Sequence, residues 1–166
     1  ADAASPMSVL PLADLVESKA EGVFLDMFRN DCRIVTSQKK KKVTLTGGLS
    51  VVPAYWLPRV KHGVEFDLAG GRWTRLRATL ALQADTAPAA AEAMKKAPMA
   101  LEYLVKGDGV VLYRSPAVTP TTPPFEIDVD LAGVDILRLE FRVTGPGIDL
   151  VDRVDWGNIR LERPRQ

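Results

Sequence analysis

Strict alternation between apolar and polar side chains is the sequence feature that most restricts the fold of this chain. Residues 74–82 put leucines and alanine at every second position with arginines between them, and residues 125–131 and 137–143 repeat the pattern. A period of two residues is that of a β-strand with one buried face and one face in water. Antiparallel sheets packed face to face fit this pattern, whereas buried parallel strands are apolar on both faces. The alternation therefore predicts an all-β sandwich.

A β-hairpin is predicted over residues 101–115, where Gly107-Asp108-Gly109 separates two apolar runs and the glycines permit positive φ. Short apolar runs bounded by Gly, Pro, Asn or Asp predict further strands; they cover residues 22–28, 33–36, 42–46, 49–53, 64–68 and 158–162. Residues 9–17 are expected to form one or two helical turns over the core. The alanine-rich segment Ala87–Lys96 is expected to form a short helix or an ordered loop.

Composition excludes several classes of protein. The 166 residues, 46% of them hydrophobic, suffice for a single domain, 1–166, in which residues 1–8 are expected to be flexible. A net charge of +1 argues against nucleic-acid binding, and the basic run Lys39–Lys42 is interpreted as a solvated hairpin loop, with a site for an anionic partner as the alternative. No apolar run is long enough to span a bilayer. The sequence thus predicts one water-exposed β domain.

Catalysis and metal binding are restricted by the scarcity of the side chains they use. Cys32 is the only cysteine and His62 the only histidine, which excludes an internal disulfide, a cysteine-based zinc site and a multi-histidine metal site. The protein is therefore expected not to be an enzyme and to carry no cofactor. The small, polar opening Ala1-Asp2-Ala3-Ala4-Ser5-Pro6 resembles either the mature end left by a signal peptide or a cloning remnant, and the first interpretation predicts a secreted, periplasmic or cell-surface protein.

From about residue 64 to 163, the order of motifs resembles the NPCBM family of carbohydrate-binding modules. Phe66-Asp67-Leu68 with the glycines after it looks like that family's strand ending in Asp-Leu-Gly-Gly. Tyr103–Gly109 is similar to its Phe-x-Val-x-x-Asp-Gly element, and Asp152–Trp156 to its closing Asp-His-x-Asp-Trp. The resemblance implies a galactose-binding-like jelly roll, with one or two short helices, that serves as a non-catalytic module for glycans or glycoprotein surfaces.

The residues before Val64 depart from that family. Tyr55-Trp56-Leu57-Pro58-Arg59 stands where the family often has Gly-x-Gly-x-His, and Arg153 replaces the histidine of the closing element. These departures favour an alternative, a protein-interaction or structural sandwich that has lost its sugar site. A hydrolase would need His62 beside an acid and a hydroxyl in one pocket.

Glycan recognition needs an aromatic ring for the apolar face of a sugar and planar polar groups for its hydroxyls. The ligand-binding candidates that combine such groups are Tyr55, Trp56, Arg59, His62 and Trp73. In the alternative interpretation Tyr55 and Trp56 cap the core, His62 bonds a backbone carbonyl, and Trp73 stacks on an arginine such as its neighbours Arg72 and Arg75.

The closing segment carries two further hypotheses. Trp156 is expected in the core, with Asp152 and Asp155 fixing the turn before its strand. The spacing of Asp149, Asp152 and Asp155 could also supply carboxylates to a structural calcium ion if this loop curls.

Overall fold

The structure is a computed structural model that describes residues 7–15, 18–21, 23–25, 34–38, 41–45, 48–53, 62–68, 72–81, 100–119, 122–144 and 154–164. All strand pairs among these residues are antiparallel. The helical element described is a 3-10 helix at Leu12–Asp14. The predicted all-β class is therefore confirmed, while the segment Ala87–Lys96 lies outside the described residues.

Six strands form the first sheet. In spatial order they are β11 (Phe125–Asp130), β8 (Arg75–Ala81), β13 (Val154–Pro164), β6 (Gly48–Pro53) and β3 (Val23–Leu25), with β1 (Met7–Pro11) also pairing with β13. Because β13 pairs with three strands, the closing segment of the chain is central to this sheet.

Five strands form the second sheet. Their order is β10 (Val110–Arg114), β9 (Ala100–Gly107), β12 (Ile136–Thr144), β7 (His62–Asp67) and β2 (Lys19–Glu21). A separate hairpin joins β4 (Ile34–Gln38) to β5 (Lys41–Leu45). The predicted hairpin around the lysine run is thus confirmed, although Lys41 and Lys42 belong to β5 rather than to a loop.

The core lies between the two sheets and includes side chains that the alternation predicted. Leu76, Leu80, Ile127 and Leu139 are buried in it. Trp156 is 2% exposed and meets the fully buried Tyr103 edge to face at a centroid distance of 4.8 Å. The expectation that Trp156 is a core residue is therefore confirmed.

The N-terminal segment contributes to both sheets. Residues 9–17 were expected to be helical, but Met7–Pro11 is a strand that pairs with β13, and the helical turn is limited to Leu12–Asp14. Leu12 is fully buried in the core. The helical prediction was partly wrong because the pairing partner lies some 150 residues away, at positions 160–164.

The prediction of a wet outer face is wrong at the centre of the second sheet. Arg138 and Glu140 point away from the core, yet they are only 9% and 3% exposed. The Arg138 Nε–Glu140 Oε1 distance is 2.6 Å, Lys106 Nζ lies 3.0 Å from the same oxygen, and Arg138 also donates to Glu21 at 2.8 Å. The cross-strand pairing of charges that was predicted is therefore present, but it is largely removed from water.

Candidate functional site

Three of the five predicted ligand-binding residues, Tyr55, Trp56 and Arg59, lie outside the described residues. His62 is the first residue of β7 and is half-buried. Its ring stacks on Phe141 at a centroid distance of 5.2 Å with an angle of 9° between the planes. The register pairs these two residues directly across β7 and β12, so one face of the imidazole is covered by a core side chain.

Trp73 precedes β8 and is half-buried against the core. The guanidinium of Arg163 lies 4.6 Å from the centroid of its ring, which is within the range of a cation–π interaction. The predicted stacking on an arginine is thus confirmed, but the partner is neither Arg72 nor Arg75. Arg163 comes close because the backbone N–H of Thr74 donates to the Glu162 carbonyl at 2.9 Å.

Trp73 lines a groove of about 290 Å³ at one end of the sandwich. The segment before β8 forms one wall and the connection between β11 and β12 forms the other; the lining residues are Leu68, Arg72, Trp73, Thr74, Ala132, Gly133, Val134 and Asp135. We call this the Trp73 groove. Its volume is at the lower end of small-molecule sites, which span about 300–1,000 Å³, so it suits a single sugar ring.

Backbone hydrogen bonds hold the two walls of the Trp73 groove together. The N–H of Leu131 donates to the Thr74 carbonyl at 2.8 Å, and the N–H of Leu68 donates to the Asp135 carbonyl at 2.6 Å. The groove is therefore formed by segments that are tied to each other and to the strands on both sides, as a preformed site requires.

Polar groups of both signs face this groove. Arg72 is exposed and has a φ of 51°, an uncommon conformation for a residue other than glycine. Neither its guanidinium nor the Asp135 carboxylate makes a hydrogen bond to another described residue. The Thr74 hydroxyl donates to the Glu162 carbonyl at 3.2 Å. The groove thus offers a donor and an acceptor beside an aromatic ring.

Comparison with known families gives one match. Residues 60–162 match the model of the NPCBM/NEW2 domain. The chain belongs to this family. The family predicted from the order of motifs is therefore confirmed, and the match includes both His62 and the Trp73 groove. No curated protein matches the sequence.

Solved structures with the same fold as this NPCBM/NEW2 domain are CBM51 modules. One, from a GH95 protein of Clostridium perfringens in complex with methyl-galactose, has a TM-score of 0.69 at 15% identity, covering 93% of this chain and 99% of the module. Tandem CBM51 modules of a family 98 glycoside hydrolase from Streptococcus pneumoniae have a TM-score of 0.70 at 15% identity, over 97% of this chain and 49% of theirs. The likeness confirms the galactose-binding-like sandwich.

His62 and Trp73 do not belong to one site. His62 begins β7, while the Trp73 groove includes Leu68, which follows the last residue of that strand. The six residues of β7 separate the two by about 17–20 Å. In this NPCBM/NEW2 domain His62 and the Trp73 groove are therefore at opposite ends of β7.

The described residues contain no group of three or more acidic, cysteine or histidine side chains that could hold a metal ion. Asp149 and Asp152 are outside them. Asp155 was expected to fix the turn before Trp156, but it is itself the second residue of β13, with its backbone opposite Ser50 and Ala81. The prediction is therefore wrong in placing Asp155 before the strand. No helix among the described residues is long and apolar enough to cross a membrane.

The sequence did not single out Thr74 or Asp135 as binding residues. Thr74 was assigned to the apolar face of its strand, and Asp135 lies in a connection that carried no motif. The only signal was Gly133, which has a φ of 78° and allows the tight turn beside the groove.

Proposed function

We propose that this NPCBM/NEW2 domain is a non-catalytic module that binds galactoside-type glycans on behalf of an extracytoplasmic protein. The observation that carries the proposal is the Trp73 groove, in which an aromatic ring stands beside the Asp135 carboxylate and the Arg72 guanidinium, neither of which is hydrogen-bonded to another described residue. Hydroxyls of a sugar both donate and accept, so they can bond to both groups while an apolar sugar face contacts the ring.

Family membership supports a carbohydrate ligand, and one module of the same fold has been solved with methyl-galactose. The stacking of Arg163 on Trp73 limits the ring surface that a sugar can reach. A sugar would therefore contact the ring at the groove and bond to Arg72 and Asp135. Such a site has few contacts and is expected to be weak, so attachment would depend on several sites acting together.

The other candidates predicted from the sequence, Tyr55, Trp56, Arg59 and His62, are the competing residues for the sugar. Glycan-array screening followed by calorimetry with methyl galactoside distinguishes them from the Trp73 groove. We expect Trp73→Ala to reduce binding at least about tenfold, because stacking on an aromatic ring is lost, and Trp56→Ala to leave it unchanged. Both variants should retain the wild-type circular dichroism spectrum.

The opposite pattern, loss with Trp56→Ala and none with Trp73→Ala, would assign the sugar to Trp56 and not to the Trp73 groove. If the wild-type protein binds no glycan on the array and no galactoside in calorimetry, the proposed function is wrong.

A further inference from the structure

Exposed apolar side chains are concentrated on one strand. Of the large hydrophobic residues described, four are well exposed, and three of these are consecutive in β10: Val110 at 62%, Val111 at 42% and Leu112 at 39%. The fourth, Val9, is on β1. Isolated exposed valines are ordinary, but a contiguous apolar segment is characteristic of a surface that binds a partner.

β10 is also the edge strand of its sheet. Within the described residues it pairs only with β9, so the outward backbone groups of Val110–Arg114 are not part of a ladder. Edge strands bind extended peptides by strand addition, with hydrogen bonds from the backbone and specificity from alternate side chains. The register shift between Val111 and Tyr113 is a local irregularity that does not cover this edge.

The β10 edge is continuous with the Trp73 groove. The turn before β10 is bonded to the groove wall, since the Asp108 carboxylate accepts from the backbone N–H of Ile136 at 2.8 Å and of Asp135 at 3.2 Å. Leu112 and Val134 are both in contact with Gly107, where an added Cβ would lie 2.8 Å from Leu112 and 2.7 Å from Val134. An apolar path thus leads from the groove, through Val134 and Leu112, to the exposed strand.

The length of the edge decides whether a second copy of the protein or a short peptide is the better occupant. A strand of five residues is about 17 Å long and a sheet about 10 Å thick. The area that two such edges would bury in contact is far smaller than the roughly 800 Å² that each partner buries in a stable dimer. A short peptide that is already held nearby through an attached sugar needs no such area, because its effective concentration at the edge is high.

We propose that β10 binds an extended peptide segment by strand addition beside a sugar in the Trp73 groove, so that the ligand is a glycosylated polypeptide. This rests on the proposed function. Backbone hydrogen bonds to the edge would orient the peptide, and Val110 and Leu112 would contact its apolar side chains.

The test compares three probes: methyl galactoside, a short peptide of alternating valine and threonine, and the same peptide with galactose on its central threonine. Calorimetry should show the galactosyl-peptide binding at least about tenfold more tightly than methyl galactoside. Hydrogen exchange should show added protection of the β10 amides with the galactosyl-peptide but not with methyl galactoside.

Val110→Lys provides the matched variant, since a lysine blocks strand addition at an edge without disturbing a side chain that is already exposed. It should lower the affinity for the galactosyl-peptide to that for methyl galactoside. Val9→Lys, at the other exposed valine, should change neither value.

Equal affinities for galactosyl-peptide and methyl galactoside, with β10 amides unchanged, would overturn this inference and leave the sugar site intact. Protection of β10 by the bare peptide without any galactoside binding would overturn the proposed function, and with it the glycosylated ligand, while strand addition at β10 would stand. A concentration-dependent dimer in analytical ultracentrifugation that Val110→Lys abolishes would assign the edge to a second copy and also overturn the inference.

Discussion

At the scale of single residues, Gly63 and Arg138 show how a charge is kept away from water. The guanidinium of Arg138 lies over Gly63, where an added Cβ would be 2.7 Å from its Nη2 atom. Glycine therefore provides the space in which this side chain reaches Glu140 on its own strand and Glu21 on β2. A buried charge is tolerated only when such partners satisfy it.

Glu140 is the residue of this cluster that we expect to be most costly to change. Burial alone would raise its pKa, but hydrogen bonds from Arg138 and Lys106, together with their charges, lower the pKa below its ordinary value of 4.5. Glu140→Gln leaves the buried Arg138 and the half-buried Lys106 without this carboxylate, so urea denaturation should show a loss of about 3 kcal/mol. Glu126→Gln, at an exposed carboxylate, should cost less than about 0.5 kcal/mol.

The lowered pKa of Glu140 determines the direction in which stability changes with pH. Because the pKa of Glu140 is lower in the folded state, its stabilisation is present above its unfolded pKa, near 4.5, and is lost as the pH falls through the folded pKa. Stability should therefore fall less steeply below about pH 4.5 in Glu140→Gln than in the wild type. Equal slopes, or an equal cost for the two glutamine variants, would contradict this account.

At the scale of elements, both central residues of the turn between β9 and β10 have a left-handed backbone conformation. Asp108 has a φ of 49° and Gly109 a φ of 84°, the pattern of a type I′ turn, which matches the twist of the flanking strands. The sequence predicted positive φ from the glycines, but Gly107 is instead required by its close contacts with Leu112 and Val134. Asp108 takes the other left-handed position and links the turn to the Trp73 groove.

Replacing Asp108 should show this double role. Asp108→Ala removes the acceptor for the N–H groups of Asp135 and Ile136 and places alanine at a positive φ, so we expect a loss of about 2 kcal/mol in thermal or urea unfolding. Asparagine tolerates that φ and keeps an acceptor, so Asp108→Asn should lose less than half as much. Similar losses for the two variants would contradict both the hydrogen-bonding and the backbone role of Asp108.

The features of the strands that depend only on neighbouring residues in the chain were predicted well. Alternation predicted the burial of Leu76, Ile127 and Leu139 because the period of two depends only on neighbours in the chain. The last strand was predicted as residues 158–162 but extends over Val154–Pro164, since Gly157 and Asn158 form an irregularity inside it and have the composition of a turn. The burial of Glu140 depends on Lys106 and other distant partners, which no local pattern reveals.

The candidate site was less predictable than the fold for the same reason. Trp73 was identified because an aromatic residue among arginines is conspicuous in a sequence. Asp135 was not, because its relation to Trp73 depends on the hydrogen bonds that join the connection between β11 and β12 to the segment before β8. Whether Tyr55 and Trp56 bind a sugar stays a prediction.

At the scale of the whole molecule, strands from the first 53 residues pair with strands of the part that matches the NPCBM/NEW2 family. β1 and β6 both pair with β13, and β2 pairs with β7. Leu12, between β1 and β2, is fully buried in the common core. We therefore propose that residues 1–166 unfold as a single domain.

Leu12→Ala tests this proposal. Loss of a buried leucine in a shared core should lower the free energy of unfolding of the entire sandwich by about 2–5 kcal/mol, in one cooperative transition seen by both far-ultraviolet and near-ultraviolet circular dichroism. Val9→Ala, at a side chain that is 52% exposed, should cost less than about 0.5 kcal/mol. A separate early transition in Leu12→Ala would show that the N-terminal part is an independent addition.

The two described tryptophans also lie in different surroundings, so each is an intrinsic fluorescence probe of a different event. Trp156, packed against Tyr103 in the interior, should emit at short wavelength and respond when the two sheets separate. Trp73, at the rim of the groove under Arg163, should respond when a molecule enters there. In a Trp56→Phe variant, which removes the third tryptophan, intrinsic fluorescence can therefore separate occupancy of the groove from unfolding within one titration, without any attached dye.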